Sequence, residues 1–154
     1  MTYPDHRVQT AIAERFVPLR LHLLEDRQWT RPFQVFWTPT ILIGDRSGKI
    51  RYTSVNFLPP EEFLDILDIG EALVAMRWRE YDTSIARLGD VDERRPDGPL
   101  TAEALYWLGI TEYFRGGDDH VSRDRVWAEL LRRYPDSEWA RRVPEMVGNV
   151  SAAS

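Results

Sequence analysis

The spacing of apolar residues changes character several times along this chain, and each change predicts an element. Val8, Ala11 and Ile12 recur at helical intervals and predict a short helix over 5–15, entered through Tyr3-Pro4-Asp5, since proline is welcome in a first helical turn. From 16 to 23 the period drops to two: Val17, Leu19, Leu21 and Leu23 alternate with Pro18, Arg20 and His22, the pattern of a strand with one buried face. His22 is then an outward strand residue rather than a catalytic base. Positions 25–36 start polar and end apolar, and read as a short irregular helix interrupted near Pro32. Thr40 to Ile43 is apolar and β-branched, Asp45-Arg46-Ser47-Gly48 supplies turn chemistry, and a hairpin of strands 40–45 and 49–55 is expected. Pro59-Pro60-Glu61-Glu62 opens a helix with carboxylates in its first turn, where the macrodipole favours them. Phe63, Leu64, Ile66 and Leu67 form its apolar stripe.

Beyond about 69 the strand signals stop. Ala72, Leu73, Met76 and Trp78 fall on a helical spacing, as do Ile85, Ala86, Leu88 and Val91. So do Ala104, Leu105, Trp107, Leu108 and Ile110, and then Val126, Trp127, Leu130 and Leu131. Breaks at 79–82, 95–99 and 116–118 separate these stripes into helical hairpins. Glu71-Ala72-Leu73 matches Glu103-Ala104-Leu105, and Glu93-Arg94-Arg95-Pro96-Asp97 matches Arg132-Arg133-Tyr134-Pro135-Asp136, with an insertion at 116–123. Helix pairs repeating in this way resemble tetratricopeptide repeats, with Trp78-Arg79-Glu80-Tyr81-Asp82 at a junction and ALYWLGITEYFRGG as a first repeat helix. Two units are fewer than the three an array usually needs, so the pair is expected to dock on the N-terminal part.

Composition narrows the chemistry. The 154 residues contain 43% hydrophobic and 12% aromatic side chains, as in a globular protein, and no apolar run is long enough to cross a membrane. A net charge of −5 argues against nucleic acid as a partner. Arginine dominates the basic residues, with Lys49 the one lysine, which reads as coding bias. Cysteine is absent, which excludes disulfides, thiolate nucleophiles and cysteine-based metal sites. His6, His22 and His120 stand far apart, so neither a metal nor a cofactor is expected. Glu61, Glu62, Asp65 and Asp68 read as a solvated helix face rather than paired catalytic carboxylates, and Asp118-Asp119-His120 as a turn with a helix cap. Ser47, Ser54 and Ser84 lack a nucleophile-elbow context, and Gly44 to Lys49 lacks the spacing of a phosphate loop. No catalytic residue is assigned.

One proline stands out. The order helix, strand, helix, Thr38-Pro39-Thr40, strand, Asp-x-x-Gly turn, strand, helix resembles the second half of a thioredoxin fold. The resemblance is carried by Phe16-Val17-Pro18-Leu19-Arg20-Leu21, Val35-Phe36-Trp37-Thr38-Pro39-Thr40, Asp45-Arg46-Ser47-Gly48-Lys49 and Leu58-Pro59-Pro60-Glu61-Glu62-Phe63-Leu64. It covers residues 2–68. It implies an α/β thioredoxin-like domain over 1–68, partial because the N-terminal strands and the start of the redox helix are missing. An all-α region of helical hairpins over 69–148 and a disordered tail over 149–154 follow. The family's motif proline is cis, and the backbone beside it pairs with an extended peptide. Carried over, Trp37, Thr38, Pro39 and Thr40 are the expected peptide-binding residues.

The departure from the family is as informative. Its Cys-x-x-Cys motif is absent, and thiol–disulfide exchange requires a thiolate, so the chain by itself cannot perform the family's redox chemistry. The strand that lies between 17–23 and 40–45 in the family is also missing, which leaves unpaired strand edges. Those strands pair directly, or another chain supplies a strand, or the sequence begins at an internal methionine with the redox motif upstream. Three functions follow. The first is a cysteine-free binding module that holds a protein or extended peptide at the Pro39 edge, with a homodimer through unpaired strand edges as an additional option. The second is a shortened form of a thiol–disulfide oxidoreductase. The third is a helical-repeat adaptor. The resemblance further implies a cytoplasmic, bacterial protein tied to cell redox homeostasis.

Overall fold

A computed structural model describes residues 5–55 and 57–144. The chain divides into two units, Met1–Leu67 and Asp68–Ser154. Positions 145–154, including the tail expected at 149–154, lie outside the described residues, as do Tyr3 and Pro4 of the expected helix entry.

In the first unit, α1 (His6–Arg15) starts where Asp5 takes an extended backbone and its carboxylate accepts hydrogen bonds from the N–H groups of Arg7 and Val8. Val8 is its one buried residue. Arg7 donates to Asp5 and to Glu61, both at 2.8 Å, and so joins the cap of α1 to the first turn of α3 (Pro60–Arg77). The expected strand at 16–23 does not form: Val17 is 99% exposed and Leu19 79%. Alternation alone does not make a strand, because the backbone needs a neighbour for its hydrogen bonds and the apolar face needs cover. Among the described residues this segment has no strand partner, and Val17 and Leu19 stay uncovered while Leu21 and Leu23 are only partly buried. The short α2 (Arg27–Thr30) and a 3-10 turn at Arg31–Phe33 follow. Then β1 (Thr40–Gly44) pairs antiparallel with β2 (Ile50–Val55) in a two-stranded sheet. The thioredoxin-like α/β class expected for 1–68 is therefore corrected: among the described residues the strands form a single hairpin, and helices make up most of the chain described.

The hairpin's turn is built around Asp45. Its backbone carbonyl accepts from Gly48 N–H at 2.9 Å, and Gly48 takes φ +78°, a conformation that glycine adopts without a steric penalty. Register passes from the Ile43–Tyr52 pair to the Gly44–Ile50 pair, leaving Arg51 as the extra residue of a bulge. Its guanidinium meets Asp45 Oδ2 at 2.6 Å.

In the second unit every described regular element is helical: the rest of α3, α4 (Tyr81–Arg94), α5 (Thr101–Arg115), α6 (His120–Arg133) and a 3-10 turn at Ala140–Arg142. α5 packs against both α4 and α6. Ala102 and Leu105 of α5 meet Val126, Trp127 and Leu130 of α6 and Val143 in one apolar cluster. Full burial of a side chain such as Leu130 contributes about 1.5–3 kcal/mol. Trp127 lies so close to α5 that a Cβ on Gly109 would be 2.5 Å from its Nε1, and that N–H donates to the Tyr106 carbonyl at 3.0 Å. Asp119 caps α6 through the N–H groups of Val121 and Ser122, as its sequence context predicts. Asp65 and Asp68 depart from expectation. They are buried rather than on a solvated face, because α3 is apolar on several sides, with Ile66, Leu67 and Ile69 buried around them. Asp68 is neutralised by an ion pair with Arg94.

Candidate functional site

The segment expected to bind peptide is positioned by backbone reversals on either side. Pro32 sits in the first turn of the 3-10 segment, and Gln34 adopts φ 53°, ψ 34°, which turns the chain out of it. Val35 is half-buried, while Phe36 is 84% exposed and Trp37 58%. The Thr38–Pro39 peptide bond is cis. Thr40 Oγ1 donates to the Trp37 carbonyl at 2.7 Å, which closes the turn and sets the first residue of β1. Trp37, Thr38, Pro39 and Thr40 thus form one short corner at the entrance to the strand, with Thr38 exposed and Pro39 and Thr40 partly covered. One edge of β1 pairs with β2; among the described residues its other edge has no strand partner.

Beside this corner lies an open cleft of about 580 Å³. Leu23, Leu24, Val35 and Phe36 give it apolar walls, and Arg27 and Arg31 also line it. The sequence pattern does not announce this cleft, because its alternation places Leu23 on a strand face and the arginines fall in no motif. A signal was present: two arginines four apart, on one face of a helical turn, next to aromatic residues in an acidic protein. Trp29 and Phe33 are also exposed in this stretch.

At the far end of β1, Asp45 Oδ1 accepts from the N–H and hydroxyl of Ser47, and Arg51 pairs with Oδ2. The Ser47 hydroxyl first and then the Arg51 guanidinium hold the Asp45 carboxyl well below the usual carboxylate range. That pairing is structural, since the carboxylate is enclosed by its own hairpin. His22 sits in a turn rather than on a strand, exposed, with its ring nitrogen accepting from Glu25 N–H. Among the described residues no group of His, Asp and Glu side chains could hold a metal ion, and no helix is long and apolar enough to cross a membrane. In comparisons with known proteins, no family model, no curated protein and no solved structure matches the chain.

Proposed function

We propose that the first unit is a non-catalytic peptide-binding module, in which an extended segment of a partner protein adds as a strand to the free edge of β1 beside Trp37, Thr38, Pro39 and Thr40. One observation carries this reading: an unpaired strand edge begins at a corner that presents Phe36 and Trp37 to solvent. Strand addition supplies main-chain hydrogen bonds from such an edge, and exposed aromatic side chains supply contact area at low entropy cost. The absence of cysteine fits binding without thiol chemistry.

The test uses a fluorescein-labelled peptide of eight residues in which valine alternates with glutamate, read by anisotropy. Methylating alternate backbone nitrogens on the edge facing β1 removes the donors that strand addition requires, and binding is expected to be lost. Methylating the opposite set is expected to leave it intact. Trp37→Ala is expected to weaken binding about tenfold, equivalent to roughly 1.4 kcal/mol. Equal binding of both methylated forms overturns the reading.

A further inference from the structure

We infer that the cleft formed by Leu23, Leu24, Val35 and Phe36 with Arg27 and Arg31 selects an acidic peptide, seating a carboxylate on the arginine pair and an adjacent apolar side chain against the apolar walls. The inference rests on the peptide-binding reading above and names the chemistry of the partner. Its starting point is a contrast among arginines. Arg7, Arg51, Arg87, Arg94 and Arg133 are each matched to a carboxylate. Arg27 and Arg31 have no hydrogen-bond or carboxylate partner for their guanidinium groups among the described residues, yet both line the same cleft. The carboxylates nearest in sequence do not neutralise them. Asp26 accepts from His22 N–H at 2.6 Å, and Glu25 lies 3.8 Å from the His22 ring nitrogen.

Two arginine forks one helical turn apart match carboxylates better than any neutral group, because the planar guanidinium donates two parallel hydrogen bonds to a carboxylate. The exposed apolar side chains of Leu24 and Phe36 beside them offer contact area to a neighbouring apolar side chain of the peptide. The reach is adequate: Phe36 of the cleft and Thr40 of β1 are separated by four residues, at most about 14 Å of chain, whereas eight extended residues span about 27 Å. One peptide can therefore lie along β1 and place a side chain in the cleft. The overall charge of −5 disfavours a polyanion such as nucleic acid, whereas a short acidic peptide engages only the local pair.

Three peptides of equal length decide the matter, with valine alternating with glutamate, glutamine or lysine. The glutamate peptide is expected to bind at least tenfold more tightly than the glutamine peptide, and the lysine peptide more weakly still. In the Arg27→Gln, Arg31→Gln double variant the glutamate preference is expected to vanish; both positions are exposed, and circular dichroism checks that the fold is kept. Equal binding of the glutamate and glutamine peptides, a preference that survives in the double variant, binding of no peptide, or tighter binding of an oligothymidylate each overturns the inference. Failure of the two readings separates cleanly. An arginine-dependent glutamate preference that tolerates backbone methylation on either edge retains the cleft and removes strand addition. Methylation-sensitive binding without charge preference does the reverse.

Discussion

Single carboxylates in this chain act mainly as fasteners, and pH exposes that role. Asp5 is held at about 2 against an ordinary 3.8, first by the Arg7 side chain and then by the backbone N–H groups it caps. Arg7 likewise lowers Glu61, and Ser122 lowers Asp119 at the start of α6. Asp45 is lowered too, through Ser47 and then Arg51. Each group binds its proton more weakly in the folded chain than in the unfolded one. Their stabilisation is therefore complete above the ordinary carboxylate range and is lost as pH falls from about 4 through 2 and below. Thermal melts followed by circular dichroism are expected to show Tm falling over that window. Asp45→Asn is expected to lower Tm at neutral pH and to flatten the acid limb; an unchanged limb would assign the acid sensitivity to the other carboxylates.

Helices that pack closely owe their fit to particular positions, and strands owe theirs to neighbours. α5 and α6 meet at Gly109, where Trp127 occupies the space of a side chain and stacks on Tyr106 with ring centres 5.5 Å apart. Gly109→Ala is favourable for helix propensity by up to about 1 kcal/mol, yet the added methyl group collides with a buried ring. Overpacking of this kind costs about 1–3 kcal/mol, so a net loss in urea denaturation is expected, together with a change in tryptophan fluorescence. A variant as stable as the parent would mean that α6 moves aside freely. Between α4 and α5 the contact includes a polar pair: the Ser84 and Thr111 hydroxyls lie 3.1 Å apart, fully buried, and Thr111 also donates to the Trp107 carbonyl. Such a pair satisfies its own groups within the core.

At the scale of the whole molecule, apolar exposure and charge act together. Phe36, Trp37 and Phe57 are exposed in a chain whose composition gives a pI of about 5.2. Near that pH the charge that keeps copies apart disappears, while the aromatic patches and the free edge of β1 remain. Light scattering is expected to rise as pH approaches 5.2 and to fall again at neutral pH. Phe36→Ser is expected to blunt the rise, and an unchanged profile would place the sticky surface elsewhere.

The local elements of this protein were legible in its sequence because their causes are local. Asp5 and Asp119 announce their caps, Asp45 to Gly48 its turn, and the spacing of Val126, Trp127 and Leu130 the buried stripe of α6. The corner of Trp37, Thr38, Pro39 and Thr40 was legible for the same reason, being contiguous. Pairing and burial were not. Residues 16–23 carry a strand pattern and form no strand, since a ladder needs a neighbour that no local pattern supplies. Asp65 and Asp68 look solvated and are buried, because packing around α3 covers the side that carries them. The cleft that gathers Leu23, Leu24, Val35 and Phe36 with Arg27 and Arg31 exists only once the chain has turned at Gln34. Sequence by itself determined which residues cap and turn, because those causes are local; tertiary structure alone decided which apolar faces and which arginines have no partner among the described residues.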